Sequence, residues 1–219
     1  MADHDDSVAG PPPAEQPSPT MIVPFIMRFE LEPDVTKPAR QTARFTNDSG
    51  LRQTLEMRRS EELVFEDFVG ELMIAYVFDL PGYFQHVNRQ DCLDFGIRHD
   101  QLRALAARNL VHRRPKPVVK HGQACVMFVV DQNLESSLLL VDLLWAQVDR
   151  QLAGETVVAV PARDVIVATG SDVPGGIASL ERVAGRAWQR AEPRLQLTRS
   201  LLVRRDKSWY LFDGQVPPP

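Results

Sequence analysis

Apolar positions recur along this chain with two different periods, which predicts a mixture of strands and helices. Residues 71–79 place Leu72, Ile74, Tyr76 and Phe78 on one alternating face and Met73, Ala75 and Val77 on the other. A strand that is apolar on both faces belongs in the middle of a sheet. Pro81-Gly82 ends it. Residues 21–31 read as a second strand, with Pro24 pointing to an edge position. Between them, residues 33–60 are polar and show no clear period, with Asn47-Asp48-Ser49-Gly50 as a turn cluster.

Two short helices are expected next. Asn88 can cap the first, which stops near Gly96. The second covers residues 99–110, with Leu102, Leu105, Ala106 and Leu110 on one face. Residues 111–121 hold two prolines and the cations Arg113, Arg114, Lys116 and Lys120, and read as a connector.

The C-terminal half begins with a strand at 123–131 and a long helix expected from Asn133 to about Leu152. Its stripe is Leu134, Leu138, Val141, Trp145, Val148 and Leu152, widened by Leu139, Leu140, Leu143 and Leu144. Strands at 156–160 and 164–169 follow, separated by Pro161-Ala162-Arg163. A helix at 174–190 buries Ile177, Leu180, Val183, Ala184, Ala187 and Trp188. Residues 195–204 and 208–212 form a hairpin around Asp206-Lys207. Short turns between neighbouring strands favour antiparallel pairing. The expected class is α+β: an antiparallel or mixed sheet with helices packed on one side. The organisation is a tail at 1–20 and one domain at 21–213, or two subdomains, 21–110 and 122–213, joined by 111–121.

Composition narrows the class. Of 219 residues, 44% are hydrophobic and 25% charged, which excludes collagen-like and fully disordered chains. The longest apolar runs, 72–78 and 124–130, are far short of the about 20 residues a membrane helix needs. The net charge of −4 equals the charge of Asp3, Asp5, Asp6 and Glu15, so the other 199 residues are balanced. A balanced body argues against general nucleic-acid binding. The first twenty residues also contain five prolines and few large apolar groups, so this stretch is expected to be disordered, with Met21 as the start codon or the first ordered residue. Two cysteines, Cys92 and Cys125, are too few for a disulfide framework, and no apolar signal segment precedes them. The expectation is a cytoplasmic protein without a membrane anchor.

Some segments resemble a known family. Ser137-Leu138-Leu139-Leu140 through Leu144-Trp145, Val158 to Val165, and Ala168-Thr169-Gly170-Ser171-Asp172 are similar to the uncharacterised bacterial YtpQ-like family. Ile22-Val23-Pro24, Asp79-Leu80-Pro81 and the two short helices extend the likeness over most of 21–212, with its specific part in 134–180. The resemblance implies a soluble bacterial protein and no particular reaction.

Candidate chemistry is sparse. Arg163 and Asp164 open one strand, and Thr169, Ser171 and Asp172 leave it for a helix whose free N–H groups suit a phosphate or carboxylate. Ser171 or Asp172 serves equally well as an ordinary cap. About five extended residues span roughly 17 Å, so one site using both ends is awkward. Arg113, Arg114, Lys116 and Lys120 offer a docking patch for an acidic partner, or a solvated linker. Neither His86, Cys92 and His99 nor His112, His121 and Cys125 has zinc-ligand spacing. Ser136 and Ser137 sit at a helix start, where serine is usual. Asp91 and Asp94 would raise the Cys92 thiol pKa rather than activate it. Glu61, Glu62, Glu66, Asp67 and Glu71 read as a solvated acidic face.

No cofactor, metal or nucleophile signature is present. The leading expectation is therefore a non-catalytic protein-binding protein of adaptor or cognate-inhibitor type, with no catalytic residues. The alternative is an enzyme or sensor for a small anion near Arg163 or the 169–172 helix entry. Convergence of Arg163 and Ser171 on one pocket would favour the alternative. Pairing of Arg163 with an internal carboxylate would count against it.

Overall fold

A computed structural model describes residues 15–28, 42–46, 52–56, 62–114, 116–122 and 124–214. Most of the acidic tail and the turn cluster at 47–50 lie outside the described residues. The fold is α+β, and every strand pairing is antiparallel.

The first sheet is built on β5 (Leu72–Leu80), all nine residues of which are buried. β1 (Ile22–Arg28) pairs along one edge, from Ile22 opposite Phe78 to Arg28 opposite Leu72. The other edge is shared by β4 (Phe65–Val69) and β6 (Tyr83–His86). β5 is therefore central, as its two apolar faces require. β2 (Thr42–Thr46) and β3 (Arg52–Glu56) form a separate hairpin. α1 (Arg89–Asp94) starts with a capping box between Asn88 and Asp91. α2 (His99–Arg113) is one turn longer than its apolar face suggested and packs against β1.

His86 packs edge-on against Phe25, with ring centroids 6.2 Å apart, and burial pushes its imidazole pKa below the ordinary 6.5. A depressed pKa means the unfolded chain binds the proton first as pH falls. The stabilisation from neutral His86 is complete above about pH 6.5 and is lost below it. Between pH 7.5 and 5.5, the native protein should lose more stability in urea unfolding than His86→Gln. Equal losses would show that His86 is not the group responsible.

The second sheet has the order β12-β11-β9-β10-β8-β7. Its strands are β7 (Val118–His121), β8 (Val126–Val129), β9 (Thr156–Ala162), β10 (Val165–Gly170), β11 (Leu201–Arg205) and β12 (Ser208–Leu211). Residues 111–121, expected to connect two halves, are mostly regular: the last turn of α2 and the edge strand β7. β9 runs through Pro161 to Ala162, which pairs with Val165 across the two-residue turn Arg163-Asp164. The hairpin β11–β12 turns at Asp206 and Lys207, with φ of 47° and 64°. Alternation of side chains sorts this sheet between two cores. Val158, Val160, Ile166, Ala168 and Leu202 enter the main core together with residues of β1, β5 and α2. Val157, Ala159, Val167, Leu201 and Val203 face a smaller core with Leu180 and Ala184 of α4 (Gly176–Arg190).

The long helix expected at 134–152 is not formed. A 3-10 helix at Glu135–Leu140 ends at Val141 (φ −95°, ψ 81°), and the short α3 (Asp142–Val148) follows. The reason is tertiary. Trp145 Nε1 donates to Leu138 O at 2.7 Å, beside the 3-10 bond from Val141 N, and Trp209 Nε1 donates to Leu139 O at 2.9 Å, so indoles reach two carbonyls that an α-helix would bond to the residue four ahead. The apolar stripe is buried as expected from Leu134 to Val148, but Leu143 is 79% exposed.

The strand exit at 169–172 is closely packed. A Cβ on Gly170 would lie 2.1 Å from Ala153 O, a backbone atom that cannot swing away. Gly154, at φ +79°, brings its backbone against Ser171 Oγ in the same crossing. Gly170→Ala should cost about 2–3 kcal/mol in urea unfolding. A loss below 0.5 kcal/mol would mean the two segments do not cross this closely.

Candidate functional site

Four distant segments meet in a cleft of about 580 Å³. Asp79 and Tyr83 come from β5, β6 and the turn between them, in which Gly82 has φ +85°. Arg113 and Arg114 come from the end of α2, where cations are favoured by the helix dipole. Asn133 comes from the loop before the 3-10 helix and Arg163 from the β9–β10 turn.

Asp79, only 8% exposed, organises one wall. Its Oδ2 accepts from Arg113 Nε at 3.2 Å, its backbone oxygen accepts from Arg113 Nη2 at 2.7 Å, and its Oδ1 accepts from Arg114 Nη2. Arg114 Nη1 also reaches Asp131 Oδ2 at 3.1 Å. Arg114 Nε is buried with no hydrogen-bond partner. The neighbouring loop is held rigidly. Glu135 Oε1 accepts from the backbone N–H groups of Val130, Asp131 and Gln132 at 2.7–3.1 Å, while Asp131 Oδ1 accepts from those of Asn133 and Leu134.

Arg163 is different. Its backbone is pinned, with N–H donating to Leu195 O and C=O accepting from Ser136 N. Its guanidinium lies 4.6 Å from the centre of the Phe25 ring. Among the described residues it has no salt bridge. Burial and the nearby Arg194 charge push its pKa below the usual arginine value, and Asp164 opposes them. Arg113 and Arg114 are thus paired with Asp79 and Asp131, while Arg163 has the neighbouring Asp164 charge and no salt bridge among the described residues, which leaves its N–H groups open to an anionic group.

The other candidate residues are accounted for within the fold. Thr169 Oγ1 donates to Ala124 O at 2.6 Å. Ser171 Oγ accepts from Glu155 N at 2.9 Å and donates to Asp172 Oδ1. Neither Ser171 nor Asp172 caps α4, which starts later with Gly175 in the left-handed region. Arg163 and Ser171 flank opposite ends of β10 and do not converge. Asp164 shares the Arg163 turn, and Lys116 and Lys120 are exposed outside the cleft lining. The acidic face is largely paired: Glu62 with Arg89, Glu71 with Arg28, and Glu66 with both Arg103 and the Tyr76 hydroxyl. Burial would raise the Glu66 pKa, but Arg103 and Tyr76 hold it below 4.5. Both cysteine thiols are pushed up, first by burial and for Cys92 also by Asp91.

A larger groove of about 990 Å³ runs along Leu63, Phe65, Leu93 and Ile97. Its rim cations are neutralised, Arg89 by Glu62 and Arg98 by Asp100. The smaller cleft is the better candidate because it gathers three arginines, one of them without a salt bridge among the described residues. The sequence marked Arg113, Arg114 and Arg163 separately, but Asp79, Tyr83 and Asn133 carried no signal, because only the tertiary fold brings them together.

No family model matches the chain, and no curated protein or solved structure is significantly similar to it. The likeness to YtpQ-like proteins therefore rests on the residues quoted above. Among the described residues, no helix is long and apolar enough to cross a membrane.

Proposed function

We propose that this is a non-catalytic binding protein of the adaptor or cognate-inhibitor type, which holds an acidic segment of a protein partner in the arginine cleft. The same reading groups it with the bacterial YtpQ-like proteins and assigns it to the cytoplasm. The observation that carries it is that Arg163, which has no salt bridge among the described residues, lines the same cleft as Arg113 and Arg114 while its guanidinium lies over the Phe25 ring. Asp79 is the carboxylate nearest to hand, and it is committed to two arginines, which leaves it poorly placed to act as a base. A second reading, a sensor for a small anion, draws on the cleft volume of about 580 Å³, within the range of small-molecule sites.

Titration with hexaglutamate and with citrate, followed through the arginine side-chain NMR signals, separates the two. The leading reading expects hexaglutamate to bind more tightly than citrate at equal ionic strength. Arg163→Ala should weaken hexaglutamate binding about tenfold, the scale of one lost charge-assisted hydrogen bond. Its unfolding free energy should change by no more than about 1 kcal/mol, the worth of the ring contact. Undiminished hexaglutamate affinity in Arg163→Ala would remove the cleft as the site.

A further inference from the structure

The second sheet ends in an open edge. β7 is its last strand, and among the described residues no strand pairs with its outer side. The opposite edge meets the first sheet, where Leu211 of β12 packs against Gly70 in the turn before β5. Hydrogen bonding along β7 follows from its register. Val118, Val119, Lys120 and His121 lie opposite Val129, Phe128, Met127 and Val126, and in the next pair Gly122 N–H donates to Cys125 O at 2.8 Å. Antiparallel ladders alternate between pairs that are hydrogen-bonded and pairs that are not. Lys120 therefore bonds with Met127 and Val118 with Val129, while Val119 and His121 turn their N–H and C=O groups to the open side. Pro117 has no N–H to add. All four residues of the strand are exposed, Val118 at 60% and Val119 at 42%.

We infer that β7 docks an extended acidic segment of a protein partner, which adds to the six-stranded sheet as one further strand. The site lies outside the arginine cleft and does not depend on it. The main-chain groups of Val119 and His121 supply the affinity, and the side chains beside them select the partner. Lys116, Lys120 and His121 are exposed and make no salt bridge among the described residues. Asp131, two residues beyond β8, is already paired with Arg114 at 3.1 Å. The edge is thus cationic. A second copy is disfavoured, because pairing Val119 with His121 of the other copy sets the two Lys120 side chains opposite each other. An acidic strand gains from the same charges. Side chains alternate between faces, so Lys120 lies with Val118 and Met127, and Val119 lies with the buried Phe128 on the other face. The segment that fits has Asp or Glu at every second position and β-branched residues between them. Carboxylates then stand beside Lys120 and apolar groups beside Val119.

The probe is the hexapeptide Glu-Val-Glu-Val-Glu-Val with blocked ends, titrated into the native full chain and read by amide hydrogen exchange. In the unbound protein, Val119 and His121 should exchange fast and Val118 and Lys120 slowly. Saturating peptide should slow Val119 and His121 by at least about tenfold. The same peptide N-methylated at every residue keeps its charge, has no main-chain N–H to donate and should not bind. Val119→Pro removes an outward N–H and no bond to β8, so it should fold normally and bind the peptide about tenfold more weakly, the scale of one lost hydrogen bond. Unchanged exchange at Val119 and His121, or equal binding of the methylated peptide, overturns the inference. So does protection of these amides in the unbound protein that rises with protein concentration, which would put a second copy on the edge. Arg163→Ala separates this site from the cleft. It should leave the protection of Val119 unchanged, and its loss would move the peptide into the cleft and overturn edge docking. If Arg163→Ala weakens hexaglutamate binding while the β7 amides never respond to the hexapeptide, the cleft reading stands and edge docking fails.

Discussion

Trp145→Ala should lower the unfolding free energy by about 4 kcal/mol, while Leu143→Ala should change it by less than about 0.5 kcal/mol. Both residues belong to the same broad apolar face in the sequence pattern, yet the structure separates them completely. Trp145 is 0% exposed and stands edge-on between Phe128 at 5.5 Å and Trp209 at 4.9 Å. Its Nε1 holds the Leu138 carbonyl. Truncation removes the ring contacts, opens a cavity and takes one of two donors from the Leu138 carbonyl, which keeps the Val141 N–H at 3.0 Å. Leu143 is 79% exposed and loses almost nothing. Urea unfolding of the two variants measures both values. Similar losses for the pair would mean that 134–152 is a continuous, deeply packed helix after all. Trp145→Phe is informative as well. It retains most of the ring packing and loses the N–H, so it should fall between the two, at about 2 kcal/mol.

Asp79→Asn should separate stability from binding. The carboxylate is shared by two arginines whose side chains are 30% and 22% exposed. Losing the charge leaves those cations partly buried and undercompensated, at a cost of about 2 kcal/mol after allowance for their contact with water. The same change takes one negative charge out of the cleft. At roughly 7 Å in a largely aqueous dielectric, that is worth about 1 kcal/mol of extra attraction for an incoming anion, or about fivefold in hexaglutamate affinity. A less stable protein that binds more tightly is an unusual signature, and a general loss of structure does not produce it. If affinity falls together with stability, Asp79 acts by holding the arginines in place, and the electrostatic account of the cleft is wrong. Measuring both quantities on one sample, by thermal unfolding and peptide titration, decides between them.

The sequence reported seven of the twelve strands among the described residues and missed β2, β3, β4, β6 and β7, which lie in stretches read as polar, connecting or unassigned. Residues 71–79 announced a central strand because a run that is apolar at every position has no face to give to water. The Asn88 cap and the Asp206-Lys207 hairpin were equally local, since each depends on two or three neighbouring residues. The misread region shows where local reasoning stops. A stripe at spacings of three and four records which residues are buried, and Leu134, Leu138, Val141, Trp145 and Val148 are buried. It does not record how the backbone is wound between them. Here that was settled by indole N–H groups, one of them from Trp209, seventy residues further along.

The candidate site divides in the same way. The arginines were visible as charge, Arg113 and Arg114 in one cluster and Arg163 in a turn. Their convergence was not, because it depends on how the end of α2, the β5–β6 turn and the β9–β10 turn are stacked by the core beneath them. Thr169 and Ser171 looked available for a ligand only because their partners, Ala124 O and Glu155 N, are distant in sequence. The sequence by itself determined the α+β class and most of the buried positions, and left the sheet antiparallel or mixed, since periodicity and turn chemistry act within a few residues. Tertiary structure alone decided the path of 134–148, the internal use of the 169–172 polar groups and the gathering of Arg113, Arg114 and Arg163 along one cleft, because each depends on groups brought together across long stretches of chain.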